Sequence, residues 1–183
     1  TIVGFEEGGN PGVDDVTSLV LIPIAVDAVK IPVIAGGGIG NARGFIAALA
    51  LGAEGVLMGT RFMASKECNI HPKIKELLLE LTETDTMLIR RSIRNTGRVV
   101  KTDFAQKILE MEQKGATPEE LQSLISSRRG KNAYITGDIS DGTISAGQVV
   151  GLIHDIPSVK EIIDGIISGA ELIVQRLHDP VNL

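Results

Sequence analysis

Ile31-Pro32-Val33-Ile34-Ala35-Gly36-Gly37-Gly38-Ile39-Gly40-Asn41 and, one amphipathic stretch later, Gly55-Val56-Leu57-Met58-Gly59-Thr60 are the runs that decide the fold. Ile31 to Ala35 is a short apolar run bounded by turn residues. Pro32 sits near its start, where a missing N–H is tolerated, so the run reads as a buried strand. Gly36 to Gly40 is a loop, and Asn41 is placed to cap a helix that runs to Leu51 and stops at Gly52. Gly55 to Thr60 reads as the next strand, again with a glycine at its exit. Upstream, Thr1-Ile2-Val3 before Gly4 is the end of another buried strand, and Val16 to Val29 is a helix with a cap expected at Asp14 or Asp15. Strands that alternate with helices indicate an α/β fold with a parallel sheet and right-handed crossovers.

Beyond Arg61 the alternation stops. Pro72 suits the first position of a helix reaching Leu81, Thr86 to Ile93 reads as a strand, and Asp103 to Lys114 reads as a helix. Thr117 and Glu120 form a capping box for a helix to about Ser127. Ser126 to Lys131 reads as a basic, solvated turn. Ser145 to His154 is expected to be a short helix broken off by Pro157. A final helix, Ser158 to Leu177, repeats apolar residues at spacings of three and four (Ile162, Ile166, Ala170 and Ile173 among them), a stripe that must pack on something large. The chain thus divides into strands at 1–60, a mostly helical appendage at 61–145 placed to roof the site, and closing helices at 146–183.

Composition narrows the function classes. The chain has 183 residues, 43% hydrophobic and 22% charged, which is globular and neither disordered nor collagenous. A net charge of −5, with aromatics at 3% and no Trp, argues against nucleic acid and anionic membranes as partners. No apolar run reaches the roughly 18 residues of a membrane span. The one cysteine, Cys68, cannot form an internal disulfide, and no metal-ligand spacing is present, so a reducing cytoplasm is expected and no metal.

The chemistry points to the two glycine-rich strand exits. Adjacent parallel strands end side by side, glycines let a backbone approach an anion closely, and free N–H groups at a helix start point toward it. Two such exits with one βαβ unit between them make a phosphate cradle. Tight βα turns are the plainer reading of the same glycines.

Pro32 to Ile39 followed by Ala47 to Phe62 resembles the last two strands of phosphate-binding TIM barrels, including IMP dehydrogenases and flavin-dependent hydroxyacid oxidases. Gly4-Phe5-Glu6-Glu7-Gly8-Gly9-Asn10-Pro11-Gly12 is similar to the Gly-x-Glu-Ala-Gly-Gly-His-x-Gly segment of nitronate monooxygenases and their FMN-dependent enoyl-acyl carrier protein reductase relatives. Ser145-Ala146-Gly147-Gln148-Val149-Val150-Gly151 looks like the end of the same proteins. The resemblance implies the C-terminal part of a (β/α)8 barrel, its last three strands, with FMN held by its phosphate. The matching positions are Gly37 and Gly38 at one exit and Leu57, Met58, Gly59 and Thr60 at the other. Gly8 falls beside the flavin and Gln148 near its pocket, and Arg61 is either electrostatic support or surface. A closed barrel takes about 250 residues, so the resemblance also implies a partner: the N-terminal half of the barrel, on the same or another polypeptide.

One departure stands out. Asn10 occupies the place of the family's catalytic histidine, and an amide cannot take a proton near neutral pH. The resemblance then implies an FMN-dependent oxidoreductase that oxidises small-molecule alkyl nitronates, which arrive already deprotonated. The alternatives are an FMN-dependent enoyl-thioester reductase and a flavin-binding remnant without catalysis. Glu6 and Glu7 read as structural carboxylates beside a glycine turn, and His71 before Pro72 reads as a helix-start residue.

Overall fold

The computed structural model describes residues 1–124 and 127–178. Its first part is a parallel three-stranded sheet in the order β1-β2-β3, with β1 at Ile2–Val3, β2 at Ile34–Gly36 and β3 at Gly55–Leu57. Ile2 pairs with Ala35, and Ala35 in turn with Val56, so the strand ends lie level. Helix α1 (Ser18–Ala28) connects β1 to β2, and α2 (Ala42–Ala50) connects β2 to β3. The central strand has neighbours on both sides, and Ala35 is fully buried against Ile22, Ile39, Ala48 and Ala53.

Two details of this part differ from the sequence reading, the cap of α1 and the bounds of the middle strand. The α1 cap is Thr17, whose side chain makes no capping bond, while Asp15 lies upstream in a left-handed turn at φ 51°. The Ser18 N–H that a cap would satisfy instead goes to the Glu6 carboxylate, at 3.0 and 3.1 Å. The middle strand is shifted toward its glycines, because Ile31 lies on the surface, 71% exposed, and Pro32 has no N–H for the ladder. Asn41 does cap α2, accepting from the N–H groups of Arg43 and Gly44.

Residues 60–136 form α3 (Thr60–Met63), α4 (Pro72–Glu80), a hairpin of β4 (Thr86–Ile89) and β5 (Gly97–Val100), then α5 (Asp103–Gln113), α6 (Pro118–Leu124) and α7 (Ser127–Thr136). The hairpin is antiparallel and pairs with neither edge of the parallel sheet. The strand expected to reach Ile93 stops at Ile89, since Arg90 turns to φ 62° and the chain doubles back. β5 was not legible because a charged Arg98 stands in its middle, where the structure nonetheless buries it. The Thr117–Glu120 capping box forms reciprocally. The basic turn expected at Ser126 to Lys131 is instead helix from Ser127 on, with Ala133 of the same helix fixed in the core, while Ser126 falls outside the described residues. Ile125, within the helix expected to reach about Ser127, also falls outside them.

Gln148–Leu152 winds as a 3-10 turn rather than the longer helix expected across Ser145 to His154. Helix α8 (Val159–His178) then crosses α2, so closely that a Cβ on Gly169 would lie 2.7 Å from the Ala42 methyl. Ile162, Ile166 and Ala170 are buried there, but Ile163, Ile167, Val174 and Leu177 of the same stripe remain exposed.

Candidate functional site

The exits of all three parallel strands open on one cleft of about 280 Å³. Gly37 and Gly38 form one wall, and Leu57, Met58, Gly59 and Thr60 form the next. Gly8, Glu7 and Gly147 come from the loops above, and Tyr134 and Ser145 close the far side. Gly37 and Gly38 adopt φ 87° and 71°, a region closed to most side chains, and a Cβ on Gly37 would meet the Gly4 backbone at 2.9 Å. At Gly59 a Cβ would meet nothing, so the backbone there borders open space. Among the described residues, no turn, loop or cap hydrogen bond uses the N–H of Gly38, Gly59 or Thr60. These uncommitted amides belong to residues that line one cavity, a donor set whose chemistry fits an anionic phosphate.

The loops over the cradle are held from three sides. The Glu6 carboxylate takes the N–H and hydroxyl of Ser18, and its carbonyl accepts from the Gln148 N–H at 2.9 Å. The Gly147 N–H donates to Thr60 Oγ1 at 3.0 Å in a buried bond, so the Thr60 oxygen ties the Ser145–Gln148 loop to the β3 exit. On the other side Arg98 and Gly9 exchange two backbone bonds, of 2.7 and 3.1 Å. The Arg98 guanidinium donates to the Phe5 carbonyl and to Thr86 Oγ1, and stacks 4.4 Å over the Phe5 ring. The hairpin thereby clamps the Phe5–Gly9 turn, a function invisible in the sequence.

Asn10 and Gln148 stand off the cleft wall. Asn10 is exposed, and its amide donates to Asn95 Oδ1 at 3.3 Å. Gln148 is half-buried and contributes through its backbone. Arg61 is neither surface nor cradle: it is buried, bonded to the Ala64 carbonyl and to both the carbonyl and carboxylate of Asp155, and it staples α3 to the chain before α8. His71 caps α4, its Nδ1 accepting from the Lys73 N–H. Sequence reasoning missed Tyr134, whose phenol oxygen accepts the Ser145 N–H at 2.8 Å. Burial raises the pKa of both Tyr134 and Glu7, the titratable groups on this wall. A single tyrosine on an amphipathic helix carries no signal by which it would have been found.

A larger cleft, about 590 Å³, lies between α4, the β5–α5 junction and the loop after α7. It is lined by charged surface groups such as Lys73, Lys101 and Asp138, and it holds none of the glycine exits. The 280 Å³ cleft is the candidate site because it combines the exits of all three parallel strands with close-approach glycines and uncommitted N–H groups. No helix among the described residues is long and apolar enough to cross a membrane, and no cluster of side chains there has the make-up of a metal site.

The parallel α/β unit carries its candidate site at the strand exits, and comparison with known proteins identifies its family. The nitronate monooxygenase family profile matches residues 1–169, and the chain belongs to that family. It is 32% identical to a probable nitronate monooxygenase of Staphylococcus aureus (strain MSSA476), covering 94% of this chain and 50% of that protein. It is 30% identical to the (3aS,4S,5R,7aS)-5-hydroxy-7a-methyl-1-oxo-octahydro-1H-indene-4-carboxyl-CoA dehydrogenase of Rhodococcus jostii (strain RHA1), over 92% of this chain and 58% of that one. Among solved structures, FabK of Thermotoga maritima superposes with a TM-score of 0.90 at 40% identity, over 96% of this chain and 55% of its own. A nitroalkane oxidase of Streptomyces ansochromogenes gives 0.79 at 26% identity, over 96% and 52%. The chain spans about half the length of these relatives.

Proposed function

We infer that the chain is the C-terminal part of a (β/α)8 barrel and carries the cofactor-phosphate side of an FMN-dependent oxidoreductase. The observation that carries this reading is the set of uncommitted N–H groups at Gly38, Gly59 and Thr60, residues of adjacent parallel strand exits that line one cavity. Those amides, with Gly37, would hold the FMN phosphate. Bound flavin supplies two-electron transfer. The chain's own residues shape the substrate's surroundings: Leu57, Met58, Met63 and Val149 exclude water, while Glu7, Ser145 and Tyr134 supply polar contacts.

The substrate reading follows from Asn10. With an amide at the family's histidine position, no proton is abstracted there, so a substrate that arrives as an anion suits the site and alkyl nitronate oxidised with oxygen is the proposed reaction. The relative named as a carboxyl-CoA dehydrogenase points to an acyl thioester as ligand, which supports a second reading, an FMN-dependent enoyl-thioester reductase in which NAD(P)H reduces the flavin. A single half-buried thiol, Cys68, suits the cytoplasm. The rest of the barrel is the partner that covers the open edges of β1 and β3.

The test is FMN titration followed by anaerobic reduction. The FMN fluorescence of the protein should be quenched stoichiometrically, and the bound flavin should be bleached by propane-2-nitronate and not by NADH. Bleaching by NADH alone selects the thioester reductase, and FMN binding with bleaching by neither selects a flavin-binding remnant. Failure to bind FMN overturns the reading.

A further inference from the structure

Tyr134 is the one tyrosine in the chain, and it lies on α7, outside every motif that defines the glycine cradle. Its hydroxyl is nevertheless brought to the cleft wall beside Ser145, facing the same space as Gly8, Gly38 and Gly59. The phenol oxygen accepts the Ser145 N–H at 2.8 Å. The Ser145 side chain hydrogen-bonds the phenol as well, and with both Ser145 groups donating to its oxygen the phenol hydrogen is left to donate. The Tyr134 carbonyl accepts the His71 N–H at 2.8 Å, which ties this turn of α7 to the start of α4 and holds the ring in place.

We propose that Tyr134 is the hydrogen-bond donor that recognises the oxygen of a substrate in this cleft, an oxygen that is anionic or becomes so, as in a nitronate or a thioester enolate. The reasoning is one of elimination and preparation. Asn10 stands off the wall, bonded to Asn95, so the donor must come from elsewhere. The Thr60 hydroxyl is buried at the β3 exit, where the reading above places the cofactor phosphate, and the Ser145 side chain is engaged with the phenol itself. Glu7, as a carboxylate, would repel an anion. Tyr134 is held in place, remains protonated through neutral pH because burial raises its pKa, and is polarised by the N–H already bonded to its oxygen. Met58, Met63 and Val149, on the same wall, suit the alkyl part of such a ligand.

The proposal rests on the flavin-site reading above, and the test separates the two. Protein carrying tyrosine labelled with carbon-13 at Cζ is loaded with FMN and titrated with isobutyrate, an unreactive isostere of propane-2-nitronate. The Tyr134 Cζ resonance is expected to shift with saturation. Tyr134→Phe is expected to bind isobutyrate about 10- to 100-fold more weakly, the loss typical of a hydrogen bond to a charged acceptor, while its FMN affinity stays within about twofold. Equal isobutyrate affinity in both proteins, or a resonance that does not move as isobutyrate binds, overturns the proposal and leaves the flavin reading intact. Failure of FMN to bind overturns both. The wild-type resonance decides the matter alone should Tyr134→Phe fail to fold.

Discussion

Gly8 and Thr60 show how little tolerance the cradle has at the scale of single residues. A Cβ on Gly8 would lie 2.5 Å from the backbone carbon of Ala146 and the nitrogen of Gly147, neither of which is a flexible group that could swing away. Gly8→Ala is therefore expected to lower stability by about 1–3 kcal/mol, the usual cost of overpacking, and to weaken FMN binding; urea unfolding and FMN titration check the two effects. Thr60→Val keeps the shape but removes the acceptor of the buried Gly147 N–H. It should cost about 1–3 kcal/mol in urea unfolding, the price of an unsatisfied buried donor, whereas Thr60→Ser should cost much less. Equal losses in the two would show that the methyl, not the hydroxyl, matters. At position 10, which stands off the cleft wall, Asn10→His is expected to leave turnover of neutral 2-nitropropane within about twofold, and a rise of about 10²–10⁴-fold, the usual worth of a general base, with nitronate turnover changed far less, would bring position 10 onto the substrate. A parallel change in both would remove position 10 from proton transfer.

At the scale of elements, α8 offers a second capping box that the sequence reading passed over. The Glu161 carboxylate accepts from the Ser158 N–H and hydroxyl, each at 2.7 Å, and the Glu161 N–H donates back to Ser158 Oγ at 3.2 Å. Those bonds, with Lys66 alongside, hold the Glu161 pKa down from 4.5 to about 2. A carboxyl with a lower pKa in the folded state stabilises fully above its unfolded pKa and loses that contribution as pH falls through the folded one. The first turn of α8 should accordingly fray between about pH 4.5 and 2, seen as faster exchange of its amide hydrogens after correction for intrinsic rates. Glu161→Gln should remove that pH dependence and leave the exchange flat across the window. A window unchanged in Glu161→Gln would assign the fraying to another group. The β4–β5 hairpin acts at the same scale: it adds nothing to the parallel sheet and instead presents Arg98 to the Phe5–Gly9 turn.

For the molecule as a whole, the apolar surface is distributed unevenly. Leu19, Val20 and Ile24 on α1, Leu57 at the end of β3 and Leu172 on α8 are all at least half exposed, and among the described residues β1 and β3 each leave a strand edge unpaired. α1 is apolar around most of its circumference, yet among its residues only Ile22 is buried. Such surface is normally covered, and the proposed cover is the remaining half of the barrel. The 183-residue chain alone is expected to bind a hydrophobic dye and to associate at micromolar concentration. Co-expression with the N-terminal half of a relative's barrel should abolish both, as read by dye fluorescence and light scattering. A monodisperse chain that binds no dye would show that these faces need no partner.

By itself the sequence determined the βαβ order, the glycine exits and the caps at Asn41, His71 and Thr117, because each depends on contacts within a few residues and leaves a local signature. Seven residues quoted for the flavin site line the cleft for the same reason: Gly8, Gly37, Gly38, Leu57, Met58, Gly59 and Thr60 sit at strand exits or in a glycine turn. Tertiary structure alone decided the rest. Whether Arg61 lay inside or outside turned on Asp155, far along the chain. A strand interrupted by Arg98 became plausible only once the Phe5 carbonyl and ring were there to receive its charge. Tyr134 became a site residue because Ser145 and the strand exits folded onto it. In all three cases the deciding partner lies beyond the local helix or strand, 94 residues away for Arg61, 93 for Arg98 and 11 for Tyr134, and the free energy of burying a charge or a hydroxyl is set by that partner rather than by the neighbours along the chain.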